Sequence, residues 1–167
     1  MTTYELEVQN LNIPSFDKIR SIAYKQLKAN FSHQEIEGMF GELKRGTSVI
    51  GREELLWNYL YSFGNKHQAK IHAALNKIQK LPEIVCGEYS IIDWGCGQGL
   101  ATVCMFDYLK KHDLPNAVKK ITLIEPSELA LKNAVLHTSI YGIEEIVSVN
   151  KYLDDVAVED IKTDTPV

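Results

Sequence analysis

The chain has 167 residues, of which 45% are hydrophobic and 24% charged, and its formal net charge at pH 7 is −4. This length and composition predict a chain that folds around one buried core. No apolar run approaches the ~18 residues of a membrane-spanning helix, so that class is excluded. The first ten residues, MTTYELEVQN, lack the basic and apolar stretches of a secretory signal peptide.

Charge is divided unevenly along the chain. Residues 1–80 carry 11 Lys and Arg against 8 Asp and Glu, a balance of +3, whereas residues 81–167 carry 7 against 14, a balance of −7. One interpretation is two solvated faces of opposite sign. The other is that the N-terminal half contacts an anionic partner such as RNA.

The N-terminal half has helical periodicity. Apolar residues recur at helical spacing within residues 16–31 and predict a first helix. The stretch SHQE, Ser32 to Glu35, is a capping-box pattern and predicts a second helix that ends near Leu43.

The next segments lead to a boundary between two regions. Residues 44–51 are expected to form a loop, and residues 52–81 a long helical segment that Gly64 ends or kinks. Pro82 and Gly87 mark the boundary with the following region.

The second half alternates between strand and helix patterns. Predicted strands cover residues 89–94, 119–126 and 146–153, and predicted helices cover residues 100–112 and 127–142. Ser127 is the expected N-cap of the last helix, and Gly142 its expected stop. Alternation of this kind is typical of a right-handed parallel α/β sheet. The expected fold is therefore α/β, with a helical N-terminal region (1–82) and a partial, Rossmann-like sheet of about three parallel strands (83–167).

Cysteine and histidine spacing gives no sign of a metal site. Cys86, Cys96 and Cys104 form no C-x-x-C pair, and an odd, sparse set is typical of reduced thiols in a cytoplasmic protein. His67 and His72 are five residues apart, which differs from the i, i+4 spacing of a helical metal pair. No metal is expected.

A glycine-rich loop follows the first predicted strand, in the stretch DWGCGQG. Glycines at positions 95, 97 and 99 permit positive φ and leave room for a ligand to approach the main chain. The next helix points its free N–H groups and its positive dipole end at this loop. Glu125 ends the neighbouring strand, where its carboxylate can accept both hydroxyl groups of a ribose. The sequence therefore predicts a site for an adenosine-containing ligand.

The pattern D-x-G-x-G-x-G resembles the first motif of the class I methyltransferases that use S-adenosylmethionine. The resemblance covers roughly residues 85–155 and includes the stretch IEPS after the second strand. It implies that the protein binds S-adenosylmethionine and releases S-adenosylhomocysteine. The cofactor-binding residues that it implies are Asp93, Gly95, Cys96, Gly97, Gly99, Glu125 and Pro126. The catalytic residues stay unassigned.

Two features depart from the family pattern. Gly99 and Glu125 are 26 residues apart, which is longer than usual, and residues 112–120 can absorb the excess as a loop. The family sheet has seven strands in the order 3-2-1-4-5-7-6, and no fourth to seventh strand is recognisable here. The expectation is a cofactor-binding part of a longer protein, with its first strand at a sheet edge that invites self-association. The alternative is that the N-terminal helices cover this edge.

The resemblance leaves several functions and roles open. The first candidate is methyl transfer to an RNA, a protein or a small molecule, and the alternative is a non-catalytic, possibly RNA-associated scaffold. A nicotinamide-dependent oxidoreductase is disfavoured, because Leu100 replaces the third glycine of G-x-G-x-x-G. The segment 54–75 either packs on the sheet or forms a lid, from which Tyr61, Lys66 or His67 would reach the cofactor. Asp154 and Asp155 either contact an adenine amine or lie in a solvated turn.

Overall fold

A computed structural model of the chain describes residues 1–43 and 49–161. Seven α-helices and three strands lie within these residues. The helices are α1 (Thr3–Gln9), α2 (Phe16–Asn30), α3 (His33–Glu42), α4 (Glu53–Leu75), α5 (Leu81–Ile84), α6 (Leu100–Lys111) and α7 (Glu128–Ser139). The strands are β1 (Tyr89–Trp94), β2 (Val118–Ile124) and β3 (Glu145–Val149). The expected α/β fold is confirmed. Residues 44–48, most of the expected loop 44–51, lie outside the described part.

The three strands form one parallel sheet in the order β1-β2-β3. Ile121 and Leu123 of β2 point to the same face, because side chains alternate along a strand. On that face they pack with Phe106 of α6 and with Leu131 and Ala134 of α7. Both crossover helices therefore cover the same side of the sheet.

The third strand, β3, ends earlier than the sequence analysis predicted. The predicted strand 146–153 stops at Val149, and residues 153–155 form a short 3₁₀ turn. The Asn150 amide donates to the carbonyl oxygens of Glu125 and Pro126, at 2.9 and 3.0 Å. These two bonds tie the first residue after β3 to the residues that follow β2, at the point where β3 ends.

β1 lies at an edge of the sheet and pairs, within the described residues, with β2 alone. The side chain of Trp94, at its end, is 46% exposed. Self-association through this edge stays a prediction, which sedimentation of the protein tests. No helix in the described ranges combines the length and apolar character needed to cross a bilayer.

The N-terminal helices share a core with the sheet region. The main buried cluster takes residues from α1 to α4, from α6 and from α7, among them Tyr4, Phe16, Leu27, Leu60, Val103 and Leu136. Asp107 of α6 accepts the N–H of Phe16 at 2.7 Å and the hydroxyl of Tyr141 at 2.9 Å. The Asp107 side chain of α6 therefore satisfies the first backbone N–H of α2. The division of the chain at residue 82 stays a prediction.

The capping-box prediction for α3 is confirmed, and a second capping box starts α1. The Ser32 hydroxyl accepts the N–H of Glu35, and the Glu35 carboxylate accepts the N–H of Ser32. Thr2 and Glu5 exchange the same two bonds at α1, a helix that the sequence analysis did not predict. Ser127 caps α7 as expected, since its hydroxyl accepts the N–H of Ala130.

The expected end of the helix at Gly64 is wrong, because α4 runs unbroken from Glu53 to Leu75. Gly64 is buried, and a Cβ placed on it would lie 2.6 Å from Cζ of Phe16. A glycine is required there because α2 and α4 approach each other closely. Close packing of the two helices offsets the low helix propensity of glycine.

We expect Gly64→Ala to destabilise the protein by up to about 2 kcal/mol. Helix propensity favours alanine by about 1 kcal/mol, but overpacking against Phe16 costs about 1–3 kcal/mol. The matched control is Gly38→Ala on α3, where an added Cβ meets nothing within 4 Å. That variant should gain roughly 0.5–1 kcal/mol. Urea unfolding measures both changes, and a stabilised Gly64→Ala protein would show that the contact does not restrict α4.

Candidate functional site

The glycine loop, residues 95–99, joins the end of β1 to the start of α6. Trp94 pairs with Ile124, so the chain leaves β1 beside the end of β2. The N–H of Cys96 donates to the carbonyl oxygen of Ile124 at 3.0 Å, and the N–H of Gly99 donates to the carbonyl oxygen of Cys96 at 2.8 Å. These bonds hold the loop as a compact turn above β2.

The three glycines of the loop all have positive φ, with values of 63° at Gly95, 52° at Gly97 and 74° at Gly99. Left-handed backbone of this kind favours glycine. A Cβ on Gly95 or Gly97 would meet nothing within 4 Å, whereas one on Gly99 would lie 3.2 Å from Cα of Ala134. Gly95 and Gly97 therefore keep space open, while Gly99 lets α6 begin against α7.

A cavity of about 350 Å³ lies beside this loop. It takes residues from the ends of β1 and β2, from the loop, from α4 and from the starts of α6 and α7. Its lining consists of Ile50, Leu56, Tyr59, Leu60, His67, Ile71, Asp93, Trp94, Gly95, Cys96, Gly97, Gln98, Leu100, Ala101, Glu125, Ser127 and Ala130. Five of the predicted site residues therefore meet at one cavity. The other two, Gly99 and Pro126, are neighbours of lining residues but do not line it.

Glu125 is tied to the glycine loop by its side chain. One carboxylate oxygen accepts the N–H of Gly97 at 3.1 Å, and the other accepts the N–H of Ser127 at 3.0 Å. Each carboxylate oxygen retains a lone pair, because each oxygen has about two acceptor positions. Glu125 therefore fixes the loop and still presents an acceptor to the cavity.

Asp93 and Cys96 have their ionisation shifted by the same surroundings. Burial raises the pKa of Asp93, while the hydrogen bond from the Thr102 hydroxyl, at 2.7 Å, acts in the opposite direction. Burial, followed by the nearby charges of Asp93 and Glu125, raises the pKa of the Cys96 thiol. Cys96 is therefore a neutral thiol at pH 7 and lacks the thiolate that nucleophilic cysteines require.

α4 forms the opposite wall of the cavity with Leu56, Tyr59, Leu60, His67 and Ile71. Burial lowers the pKa of His67, and the charges of two nearby lysines lower it further. The hydroxyl of Tyr59 lies 3.2 Å from Nε2 of His67. His67 therefore stands at the wall as a neutral ring.

The other residues considered for a lid or for adenine contact lie elsewhere. Tyr61 lines a separate cavity between α2, α3 and α4. Lys66 is exposed on α4, and Asp154 and Asp155 are exposed in the 3₁₀ turn after β3. None of these four lines the glycine-loop cavity. Within the described part of the chain, no group of three or more potential metal ligands comes together.

The buried side chain of Gln98 anchors the loop to two helices, a role that the sequence analysis did not identify. Its amide nitrogen donates to the Leu56 carbonyl oxygen at 3.0 Å, and its amide oxygen accepts from Asn133 at 3.2 Å. A polar residue between two glycines was the only sequence signal. Its partners are 42 and 35 residues away, so the sequence could not identify them.

Two buried hydrogen bonds of His137 link this loop to α1. Nδ1 of His137 lies 2.8 Å from the carbonyl oxygen of Gln98, and the Tyr4 hydroxyl lies 2.7 Å from Nε2. A carbonyl oxygen only accepts, so Nδ1 carries the proton and Nε2 accepts from Tyr4. Burial lowers the pKa of His137 to about 4. The ring is thus a neutral link between α1 and the glycine loop.

Comparison with protein-family models finds no match to this chain. No curated protein and no solved structure matches it either.

The low pKa of His137 predicts a pH-dependent stability. Between about pH 6.5 and pH 4 the unfolded chain binds a proton at this ring and the folded chain does not, so stability falls as the pH falls. From pH 7 to about pH 5 we expect His137 to cost about 2 kcal/mol of unfolding free energy. Urea unfolding at the two pH values measures the loss.

The matched variant for this measurement is His137→Gln, which removes the titrating ring. The raised pKa values of Asp93 and Asp107 act in the opposite direction, but both proteins share them. The variant should lose less stability on acidification than the unaltered protein. Equal losses in the two proteins would contradict a neutral, buried His137.

Proposed function

We propose that the chain binds S-adenosylmethionine in the glycine-loop cavity, as part of a methyltransferase. The proposal is carried by one arrangement: two open glycines, the N-terminus of α6 and two acidic side chains face the same cavity. It is supported further by the D-x-G-x-G-x-G pattern that ends β1 and by the acid that follows β2.

The charge of the cavity favours a cationic ligand. Its described lining contains the acids Asp93 and Glu125, the neutral His67, and no lysine or arginine. The sulfonium group of S-adenosylmethionine is positive, and nearby carboxylates stabilise it. A nicotinamide dinucleotide instead brings a pyrophosphate with two negative charges, which these acids repel. The same lining therefore disfavours the oxidoreductase alternative.

The methionine amino group, the ribose and the adenine of the ligand each have a candidate partner in the lining. Gly95 and Gly97 would leave room for the methionine part, whose amino group would pair with Asp93. Glu125 would accept the ribose hydroxyls with its remaining lone pairs. The apolar side chains of Leu60 and Ala130 belong to the surfaces available to the adenine ring.

Bound S-adenosylmethionine would supply an activated methyl group to a nucleophilic acceptor, which would release its proton to solvent, and the electron pair of the broken carbon–sulfur bond would stay on sulfur. The chain's residues would then need to position the two reactants and exclude water from the reacting atoms. Neutral His67 would add no positive charge to the cavity.

Calorimetric titration with S-adenosylmethionine tests the proposal. We expect micromolar binding to the unaltered protein and no measurable binding to Gly97→Arg, because the arginine would fill the space that Gly97 leaves open. The matched control is Gly142→Arg. Gly142 also has positive φ and open space around its Cβ, but it does not line the cavity.

Three results would count against parts of the proposal. Failure of the folded, unaltered protein to bind either S-adenosylmethionine or S-adenosylhomocysteine would exclude the cofactor site. Stronger competition by a nicotinamide dinucleotide would favour the oxidoreductase. Binding without methyl transfer to any acceptor would support the non-catalytic scaffold.

A further inference from the structure

A second cavity, of about 370 Å³, lies between α2, α3 and α4 and has no part in the proposed function. Its walls are mainly aromatic, and its rim is polar. The lining consists of Tyr24, Lys28, Phe31, His33, Ile36, Glu37, Phe40, Tyr61 and Ser62. Tyr24 and Tyr61 stack with ring centroids 4.3 Å apart and planes 7° apart. Phe40 is 50% exposed.

A continuous row of rings connects this cavity to the glycine-loop cavity. Phe40 stacks on Phe63 at 5.3 Å, Phe63 contacts Tyr59 at 5.3 Å, and Tyr59 stacks on His67 at 5.8 Å. Phe40 lines the second cavity, and Tyr59 and His67 line the first. We call these four rings the aromatic row.

Positive side chains lie at both ends of the row, near the second cavity and near His67. Lys28 lies over the Tyr24 ring and Arg20 over the Tyr61 ring, each at 5.4 Å from the ring centroid. Lys66 and Lys70 are exposed on α4 and lie close enough to His67 to lower its pKa.

Few acidic side chains of the described residues pair with these positive charges. Lys28, Lys66 and Lys70 form no ion pair within residues 1–43 and 49–161. The acid at the second cavity, Glu37, lies 3.3 Å from Nε2 of His33. The row therefore combines one half-exposed ring, Phe40, and three partly buried rings with lysine charges that form no ion pair within the described residues.

We propose that the aromatic row binds a single-stranded nucleic acid and brings one base to the wall of the glycine-loop cavity formed by Tyr59 and His67, where this base is the methyl acceptor and its phosphate stays outside with the lysines. Unpaired bases stack on aromatic faces, and lysine side chains hold the phosphates, which is how single strands bind without sequence preference. An apolar peptide would use the rings but not the lysines. The inference rests on the proposed function for the acceptor role, whereas the binding itself stands on the row alone.

Fluorescence anisotropy with a labelled single-stranded oligonucleotide of mixed sequence, in RNA and in DNA form, tests the inference. We expect binding that weakens as salt rises, since phosphate contacts release counterions. Phe40→Ala and the double variant Lys66→Glu/Lys70→Glu should each weaken it at least about tenfold. Phe40 is half exposed and both lysines are exposed, so these changes spare the core.

The matched control is Lys110→Glu/Lys111→Glu, which changes the net charge equally. These lysines are exposed at the end of α6 opposite the glycine loop. Its affinity should stay within about twofold of the unaltered protein, and circular dichroism checks that each variant is folded. Equal losses in the control and the row variants, or no binding of either oligonucleotide, would overturn the inference.

Parallel titration with S-adenosylmethionine separates this inference from the proposed function. Cofactor binding without oligonucleotide binding would refute the row and leave the cofactor site standing. Oligonucleotide binding that depends on the row, without cofactor binding, would refute the methyl-acceptor role but support the strand-binding surface. Transfer of labelled methyl groups to the oligonucleotide, lost in Lys66→Glu/Lys70→Glu, would support both.

Discussion

Parallel pairing of β1 with β2 places the carboxyl ends of both strands side by side. Ligands of α/β proteins bind at these carboxyl ends. Trp94 pairs with Ile124, so the chain leaves both strands side by side. The N–H of Cys96 then donates to Ile124, and the N–H of Gly97 to the carboxylate of Glu125. The shape of the cavity depends on this junction, because it sets the glycine loop against α4 on one side and α7 on the other.

Local patterns were enough to predict the strands, the crossover helices and the five predicted site residues that line the cavity. Period and turn residues depend on neighbours in sequence, so they indicated β1, β2 and the loop between β1 and α6. The same reasoning placed Asp93 and Glu125 at one edge, since parallel strands end together. Thr2 and Glu5 carry the spacing that had indicated α3, so α1 was also predictable.

The remaining features depend on partners that are distant in sequence. In the sequence, Gly64 indicates a helix break. In the structure, the ring of Phe16, 48 residues earlier, occupies the space beside Gly64, and this contact explains the glycine. His137 gave no sign that it would be a buried link between Gln98 and Tyr4. The aromatic row likewise depends on how α3 lies against α4. Packing of this kind overrides local propensity, and a single sequence does not contain it.

The two tryptophans of the chain occupy opposite environments. The ring of Trp57 is buried in the helical core beside Tyr4, whereas Trp94 is half exposed at the mouth of the glycine-loop cavity. A soluble quencher therefore reaches one indole far more easily than the other. A molecule that binds against Trp94 in the cavity will shield its indole from the quencher, so tryptophan fluorescence can report whether the cavity is occupied.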